Sequence, residues 1–578
     1  MTHGSGQRGA GQDGAETGAP PRGNVLMTAV DRISNALGRS SIFADIDFDD
    51  ETHPWFLSAE ERANPDTRIR AWTEGNRCVA LVHGDTYFRV LNEHLADAEP
   101  DDLVMFTDWR GDPEQVLTDR GPTVEDALTG AATRGVVVRG LLWRSHADGL
   151  GYTGGKNSAL ATALEDAGGE CVLDQRVLAF GSHHQKLVVM RSASRVDGNV
   201  AFVGGIDLAR SRRDDAHHHG DALSRPFPPE YGETPAWHDL QLEMRGPAVR
   251  DVEDTFRERW EDPAALSRLP WHVVSDVVRR HRREPSELPA ALPDPEATGT
   301  CSVQLLRTYP RRRPSYPFAQ DGERSAARAY AKALGRAERL IYIEDQYLWS
   351  LDVARVFARA LRRSPRLRMI IVVPRHLDDD SAITIPPSLL GHAAALDLLR
   401  DAGADRVLVL DVENDDSVPV YVHSKVCIVD DVWAAIGSDN FNRRSWTHDS
   451  ELTAAVVDEE RDAREPVDPG GLGDGARVFA RDLRLELLAE HLSRGSGADA
   501  DVADLLDPDD CFDAVADQVS ELDAWHDGGR DGDRPRGRLR MHAIEVPPLW
   551  KQRVFSLLYR LVVDPDGRPL RLRLTRRF

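Results

Sequence analysis

A short pattern of histidine and lysine occurs twice in the sequence, and its residue types could act on a phosphate group. In the second half of the chain the pattern reads His423-Ser-Lys425, Asp430 and Gly437-Ser438-x-Asn440. In the first half it reads His184-Gln-Lys186, an apolar run, Asp197 and Gly204-Gly205. Residues two apart on an extended strand point to the same face, so each His and Lys pair is expected to face one site.

Two imidazoles and two ammonium groups around one anion suit a tetrahedral phosphate. One His would attack phosphorus to form a phosphohistidine, and the other would protonate the departing alcohol and then activate water or an acceptor alcohol. Lys186 and Lys425 would supply the positive charge that an anionic phosphodiester requires. We expect Ser438 and Asn440 to donate hydrogen bonds to the phosphoryl oxygens, and Gly204-Gly205 to admit backbone N–H groups. This chemistry requires no metal and no other cofactor.

The predicted elements that carry the two patterns also repeat. The first half shows strands over 103–106, 136–143, 184–189 and 199–203, with a helix over 124–133. The second half shows strands over 340–343, 367–373, 422–429 and 433–436, with helices over 352–362 and 392–402. Asp108 lies 76 residues before His184, and Asp345 lies 78 residues before His423. The spacing predicts an internal duplication. The expected fold class is therefore α/β, with two units that each hold a mixed sheet flanked by helices and form a pseudo-dimer around one site.

Composition divides the chain into five segments. We predict a disordered N-terminal tail over 1–40, a first unit over 41–284, a Pro-rich linker over 285–299 and a second unit over 300–465. Residues 466–578 form a helical and basic C-terminal extension, a small appendage to the two units. Its last part, 550–578, is rich in basic and apolar residues and could touch an anionic lipid surface or pack on the acidic segment before it.

Charge and cysteine content narrow the function classes. Hydrophobic residues are 41% and charged residues 29% of the chain, as in globular proteins, and the net charge of −24 disfavours a general nucleic-acid binder. The five cysteines are scattered, without a C-x-x-C pair, which favours a reduced, cytoplasmic setting. Neither a secretory signal nor an apolar run of bilayer length occurs, so a lipid substrate is expected to be reached from the water side. The run His217-His-His219 is expected to be a solvated loop, because consecutive residues rarely converge on one ion.

The complete second pattern, HxK(x)4D(x)6GSxN, resembles that of the phospholipase D superfamily. The similarity covers roughly residues 75 to 495 and is greatest to the larger phosphatidylcholine-type enzymes. Further matching segments are Phe202–Leu208, Trp237–Asp239, Arg245–Val249, Ile341–Tyr347, Arg443–Ser445, Asp449–Glu451 and Arg481–Leu492. In the first pattern Arg191 stands where the family has Asp, and a six-residue insertion at the hairpin tip restores the spacing from Asp197. Six is even, so strand alternation is kept.

The resemblance implies hydrolysis of glycerophospholipids to phosphatidic acid and a headgroup alcohol, with transfer to another alcohol as a second outcome. It suggests His184 as nucleophile and His423 as acid and base, with Asp430 and Asp197 in the catalytic motifs. The turn preference of Asp favours hairpin positions for both of these carboxylates. Four residues are expected to support the site: Asp239, Glu451, Glu344 and Gln346. Of these, Asp239 and Glu451 are expected to orient the His rings.

Three other functions stay open: phosphatidyl transfer as in cardiolipin synthesis, nuclease activity, and lipid binding by a relic site. Cardiolipin synthases usually carry N-terminal membrane helices, and intact His and Lys in both patterns argue against a relic. The expected partner is a phospholipid, met by transient contact with a membrane surface, and no nucleic acid is expected. We expect a monomer in the cytoplasm that is peripheral at the inner membrane face.

Overall fold

The computed structural model describes residues 48, 52–146, 154–224, 227–377, 385–544 and 559–575. The predicted disordered tail over 1–40 lies outside the described residues. So does most of the apolar part of the basic tail, over 545–558.

The first half of the chain supplies eight strands: β1 (Thr73–Val82), β2 (Leu103–Asp108), β3 (Val137–Trp143), β4 (Glu170–Asp174), β5 (Leu187–Arg191), β6 (Val200–Gly204), β7 (Ala236–His238) and β8 (Leu240–Arg245). Seven of them form one sheet in the order β4-β3-β2-β5-β6-β8-β1. Strands β2, β3 and β4 run parallel, and the other neighbours are antiparallel. The sheet is therefore mixed, as predicted.

The second half supplies ten strands: β9 (Cys301–Tyr309), β10 (Glu323–Arg324), β11 (Leu340–Asp345), β12 (Arg368–Val372), β13 (Val407–Glu413), β14 (Pro419–Val422), β15 (Lys425–Val429), β16 (Trp433–Gly437), β17 (Glu451–Asp458) and β18 (Leu539–Met541). Seven of them pair in the order β13-β12-β11-β15-β16-β17-β9. This order and its parallel triplet repeat the first sheet strand for strand. The duplication that the spacing predicted is confirmed.

Helices accompany the two sheets: α1 (Ala59–Arg62), α2 (Gly84–Asp97), α3 (Val124–Thr133), α4 (Gly154–Asp166), α5 (Ala248–Trp260), α6 (Pro270–Arg279), α7 (Ser325–Arg336), α8 (Leu351–Arg363), α9 (Ile385–Gly403), α10 (Arg443–Thr447), α11 (Val478–His491), α12 (Pro508–Asp527) and α13 (Leu570–Thr575). Helix α3 starts at Thr123, whose side chain accepts from Asp126 N while Asp126 reaches back in a capping box. In the described residues, no helix combines the length and the hydropathy that a membrane crossing requires.

The two sheets share one central core. Along β2, Leu103 and Met105 join this core, whereas Val104 and Phe106 join a second core with residues of α2, α3 and α4. On β11, Tyr342 faces the central core and its neighbours face the outer helices of the second unit. Alternation along each strand thus gives every sheet one face for helices and one for the other unit. Helices α5 and α11 also contribute side chains to the central core, so the two sheets share this core with helices.

Hydrogen bonds also join the edges of the two units. Strand β1 pairs with β8 of its own sheet and, at its start, with β9 of the second. Strand β7 pairs in parallel with β14, so that His238 lies opposite Val422. This pairing brings the segment after β7 next to the second His–Lys pattern.

The motif histidines precede their strands instead of lying on them. The strand predicted over 184–189 begins at Leu187, and His423 lies between β14 and β15. The reason is that each backbone N–H bonds to the opposite unit. His184 N donates to Ser450 O at 2.9 Å, and His423 N donates to His238 O at 2.8 Å. Each motif is therefore anchored across the interface at the residue expected to do the chemistry.

The C-terminal extension packs on the second unit. The extension was predicted to be helical, and its helix α11 contacts β16 and β17. Strand β18 extends the sheet beside β13.

Candidate active site

Each motif histidine is held by a carboxylate from the other unit. His184 Nδ1 lies 2.9 Å from Glu451 Oε2, at the start of β17. His423 Nδ1 lies 2.6 Å from Asp239 Oδ2, between β7 and β8. The structure thus places Asp239 and Glu451 against the His rings, where the sequence predicted orienting groups. Because each Nδ1 is occupied, Nε2 is the nitrogen left for chemistry in both rings.

Aromatic rings fix the two imidazoles from the side. The Trp109 ring meets His184 edge to face, with centroids 6.2 Å apart. The Trp237 ring lies 5.0 Å from that of His423. The His184 side chain is 15% exposed and that of His423 only 5% exposed. The first ring is therefore the more open to a ligand.

Both motif lysines are buried, and their ammonium groups lie close to the histidines. Lys186 Nζ lies 3.3 Å from Asp207 Oδ1 and donates to His184 O at 3.2 Å. Lys425 Nζ donates to His423 O and, at 3.3 Å, to Gln346 Oε1. Burial, together with the charge of Lys186, lowers the pKa of Lys425 to about 8, although the Asp239 carboxylate acts against it. A bound anion would offset this repulsion.

The two motifs lie close enough for the charges of each to act on the histidine of the other. Burial lowers the pKa of His184 well below its usual value, and Lys186 and then Lys425 of the other unit lower it further. Burial likewise lowers the pKa of His423, aided by the charges of Lys425, Arg212 and Lys186. Charges act this strongly only at short range in a buried site. The pocket therefore concentrates cations from both units, which favours an anionic ligand.

The two orienting carboxyls differ in acidity. Burial, together with the charge of nearby Asp449, raises the pKa of Glu451 to about 8. Burial raises the pKa of Asp239 only to about 6, because Lys425 and Arg212 act against it. Near neutral pH, Glu451 thus keeps a proton while Asp239 is ionised. The same fold position carries a neutral group in one unit and an anion in the other.

Ser438 does not face the phosphate position as predicted. Its Oγ donates to Glu451 Oε2 at 2.6 Å and accepts from Leu452 N at 3.0 Å. The hydroxyl therefore supports the carboxyl behind His184. Asn440 is buried, and no described hydrogen bond ties its side chain to the Glu451 carboxyl. Asn440 stays a predicted phosphate ligand.

The predicted role of the glycines in phosphate binding also needs correction. Gly205 N donates to Leu240 O at 3.2 Å, so this N–H is used within the protein. A Cβ atom at Gly205 would lie 2.2 Å from Asp239 Oδ1, and one at Gly204 would lie 2.4 Å from Gln241 Oε1. Glycine is required here because the chain that carries Asp239 passes too close for a side chain.

Asp430 and Asp197 lie at hairpin tips, and their predicted catalytic role is wrong. Asp430 is buried at the β15–β16 turn and accepts the backbone N–H groups of three residues, Glu338, Arg339 and Leu340. It is separated from Lys425 by the length of β15, roughly 17 Å. Asp197 is exposed at the β5–β6 tip. Both follow the turn preference of Asp instead of facing the pocket.

The two supporting residues taken from the IYIEDQY segment have separate positions. Gln346 donates to Tyr421 Oη at 2.9 Å and accepts from Lys425, so it lies beside the pocket. Glu344 lies behind it in a buried cluster, bonded to His238 at 2.9 Å and to His491 at 3.0 Å. Glu344 therefore does not reach a ligand in the pocket.

Sequence reasoning missed three residues of the site. Asp207 neutralises part of the Lys186 charge and also binds Arg212 at 3.2 Å. The Arg212 guanidinium lies 3.8 Å from the centre of the Trp237 ring. Trp109, the residue after the last residue of β2, contacts the His184 ring. Asp207 follows Gly204 at the same spacing at which Asn440 follows Gly437 in the second pattern, and this correspondence could have identified it.

Comparisons with known proteins agree with this geometry. The family model described as "Phospholipase D" matches residues 156–352, and that described as "Cardiolipin synthase, PLD-like domain" matches residues 330–465. The first match contains the first His–Lys pattern and the second contains the other.

Curated relatives share the name of the first family. Phospholipase D alpha 1 from Vigna unguiculata is 27% identical over 448 residues, covering 57% of this chain and 54% of that protein. Phospholipase D1 from Schizosaccharomyces pombe is 26% identical over 397 residues, covering 54% of this chain and 27% of that protein. The chain thus spans about half, or less, of the length of these relatives.

Among solved structures, phosphatidylserine synthase from Haemophilus influenzae Rd KW20 aligns with a TM-score of 0.46 and 13% identity, covering 67% of this chain and 84% of that one. Two family models, each with one His–Lys pattern, and curated relatives that share one name agree with the duplicated sheets and the paired motifs. The chain belongs to the phospholipase D superfamily.

Proposed function

We propose that the protein hydrolyses the phosphodiester of a glycerophospholipid, releasing phosphatidic acid and the headgroup alcohol. One observation carries the proposal. Two imidazoles, each bound at Nδ1 by a carboxylate of the opposite unit, share a buried pocket with two lysines. This arrangement presents two Nε2 atoms and a concentration of positive charge to one phosphate.

In the first step, His184 Nε2 attacks phosphorus and the bond from phosphorus to the headgroup oxygen breaks. His423 Nε2–H gives its proton to that oxygen, so the alcohol leaves neutral. In the second step, His423 takes a proton from water as the water oxygen attacks phosphorus. The bond from phosphorus to His184 then breaks and phosphatidic acid is released.

The different acidity of the two carboxyls supports this division of roles. Asp239 is ionised near neutral pH, and an anion 2.6 Å from His423 acts against the burial and the cations that lower the pKa of this ring, so it favours the imidazolium that an acid must form. Glu451 is neutral, so it orients His184 without raising its pKa, and the ring keeps a free lone pair on Nε2. His184 is also the more exposed ring.

Transfer of the phosphatidyl group to another alcohol is a second candidate. The match of residues 330–465 to the cardiolipin synthase family favours it. In the mechanism above, an acceptor alcohol simply replaces water in the second step, with His423 as the base. Adding glycerol or ethanol to the assay therefore separates the two outcomes by product.

The test uses phosphatidylcholine vesicles with release of choline as the measured quantity. We expect turnover by the wild-type chain and none above background for His184→Ala or His423→Ala. Lipid binding without turnover would favour a relic site. Cleavage of DNA without lipid turnover would favour a nuclease, and either result would overturn the proposal.

Helix α6 supports contact with a lipid surface, because its polarity is inverted. Its apolar side chains point outward: Trp271, Val274, Val277 and Val278 are 56–75% exposed. Its polar His272 and Asp276 are buried, and Asp276 binds Arg144 at 2.7 Å. A helix that is apolar toward solvent indicates a surface made to be covered.

The position and charge of α6 favour an anionic membrane as the cover. Arg144 follows Trp143, which stacks on Trp109, and Trp109 meets the His184 ring. The helix therefore lies at the edge of the sheet that holds the pocket. Four arginines follow the apolar face and suit anionic lipid headgroups: Arg279, Arg280, Arg282 and Arg283.

We expect Val278→Asp to weaken binding to vesicles of phosphatidylcholine and phosphatidic acid by about tenfold or more, since it places a charge on the buried side of the contact. Hydrolysis of a monomeric short-chain lipid is expected to stay unchanged. The matched control is Val196→Asp, which is equally exposed but lies at the distant β5–β6 tip. Equal vesicle binding by the two variants would refute this contact and leave the catalytic proposal intact.

A further inference from the structure

Behind the active site, three histidines and one glutamate converge in the interior. His83 follows β1, His218 lies in the loop before β7, His238 ends β7, and Glu490 lies on α11. The three His side chains are almost wholly buried, and that of Glu490 is 12% exposed. The sequence prediction of a solvated His217–His219 run holds for its outer two residues and is wrong for His218, which is buried.

Three buried atoms of this cluster face one another without a hydrogen bond in the described chain, His218 Nε2, His238 Nδ1 and Glu490 Oε1, and His83 Nδ1 is a fourth buried atom without one. Glu490 Oε1 lies 3.3 Å from the first and 3.6 Å from the second. His83 Nε2 lies 2.7 Å from the other oxygen of the same carboxylate. Unpaired polar atoms are costly in an interior, and these three face one another.

The opposite nitrogens of two rings are held by further carboxylates. His238 Nε2 lies 2.9 Å from Glu344 Oε2, and His218 Nδ1 lies 3.4 Å from Asp214 Oδ2. Carboxylates that bind the far nitrogen of an imidazole are typical of metal-ligating histidines, because they fix the tautomer and aim the near nitrogen.

We propose that His83, His218, His238 and Glu490 bind one zinc ion. In a tetrahedral site with bonds of about 2.0–2.1 Å, ligand atoms lie about 3.4 Å apart. Glu490 Oε1 lies 3.3 Å from His218 Nε2 and 3.6 Å from His238 Nδ1. The three ring centroids lie 5.3, 5.4 and 5.6 Å apart, and rings around such an ion would be separated by about 5.2 Å. Three imidazoles and one carboxylate also suit zinc among the common divalent ions.

The ion would join the two units. Three ligands come from the first unit, and Glu490 comes from the helix that packs on the second sheet. His238 precedes Asp239, which holds His423, so the site would fix the segment that orients the acid. The pocket chemistry itself does not use the ion, and the inference does not depend on the proposed function.

The test measures zinc in the full chain, purified without a polyhistidine tag and after incubation with Zn²⁺. We expect about one zinc per chain, and less than about a tenth of that in His218→Ala. The matched control is His219→Ala, an exposed neighbour expected to keep its zinc. Cobalt is expected to give the visible absorption of a tetrahedral site in the control and not in His218→Ala.

Because His218→Ala could fail to fold, Asp214→Asn provides a second variant that leaves all four ligands in place. We expect it to bind zinc about 10–100-fold more weakly, with an unchanged circular dichroism spectrum. Wild-type protein with no more zinc than His218→Ala would overturn the proposal and show a metal-free network of histidines and carboxylates. His184→Ala is expected to keep its zinc, so this result is independent of catalysis.

Discussion

Replacing Asp239 by Asn tests the division of labour between the two histidines. The change keeps the size of the side chain and removes its charge. Asp239 and His423 are both buried, with 2.6 Å between Oδ2 and Nδ1. Opposite charges centred about 4 Å apart, at an effective dielectric constant of about 20, attract by about 4 kcal/mol. The imidazolium on His423 would lose most of this stabilisation.

A loss of about 3–4 kcal/mol corresponds to a fall in kcat of about 10²–10³-fold for a substrate that leaves as an alkoxide. The assay compares two lipids that differ only in the leaving group, choline and p-nitrophenol. The p-nitrophenolate leaves without a proton, so its release from the first step needs no acid. Asp239→Asn is therefore expected to keep a burst of p-nitrophenol of about one per enzyme and to lose steady-state turnover of both lipids.

The matched control is Glu451→Gln, which alters the partner of His184. This variant is expected to keep both the burst and the steady-state turnover within a few-fold, because the amide, like the neutral carboxyl, carries no charge and accepts from His184 Nδ1. If Asp239→Asn removed the burst while Glu451→Gln kept it, the assignment of nucleophile and acid would be reversed. A fall in choline release of less than about tenfold would refute the electrostatic reasoning.

Three further predictions concern single residues of the motifs. Asp430→Ala is expected to lower the free energy of unfolding by about 2–4 kcal/mol, since three backbone N–H groups lose their acceptor, while kcat stays within a few-fold. Asp197→Ala, at the exposed tip, is expected to change neither quantity. Urea titration and choline release check both. The value of kcat/KM is expected to fall as pH rises past about 8, because Lys425 loses its charge there. Lys425→Arg, whose guanidinium stays protonated, is expected to remove this alkaline decrease. A decrease that persists in Lys425→Arg would assign it to another group. Gly205→Ala is expected to lower kcat about 10–100-fold with little change in KM, because its Cβ displaces Asp239; rates equal to wild type would contradict the close packing seen here.

The duplication was predictable from local patterns alone. Alternating apolar strands, amphipathic helices and the nearly equal intervals from Asp108 to His184 and from Asp345 to His423 are short-range or additive features. The resulting sheets follow one order twice. The hairpin positions of Asp430 and Asp197 also follow from the local preference of Asp for turns, although the motif pattern alone suggested a chemical role.

The environment of each motif could not be read from the sequence in the same way. The partner of His184 is 267 residues away and that of His423 is 184 residues away, and both lie on the opposite unit. Local periodicity does not specify which carboxyl crosses an interface. The same limit explains Ser438, whose hydroxyl faces Glu451, and His218, whose burial depends on β1, β7 and α11 folding around it.

Crossed support explains how a symmetric fold can run an asymmetric reaction. Each unit carries a His–Lys pair in the same position, but the ring is oriented by the other unit, so neither pair is complete without its partner. The two crossing carboxyls are an Asp beside Lys425 and Arg212 and a Glu beside Asp449, which gives them different acidity. In the proposed mechanism, the unequal surroundings of Asp239 and Glu451 would decide which imidazole attacks and which donates the proton.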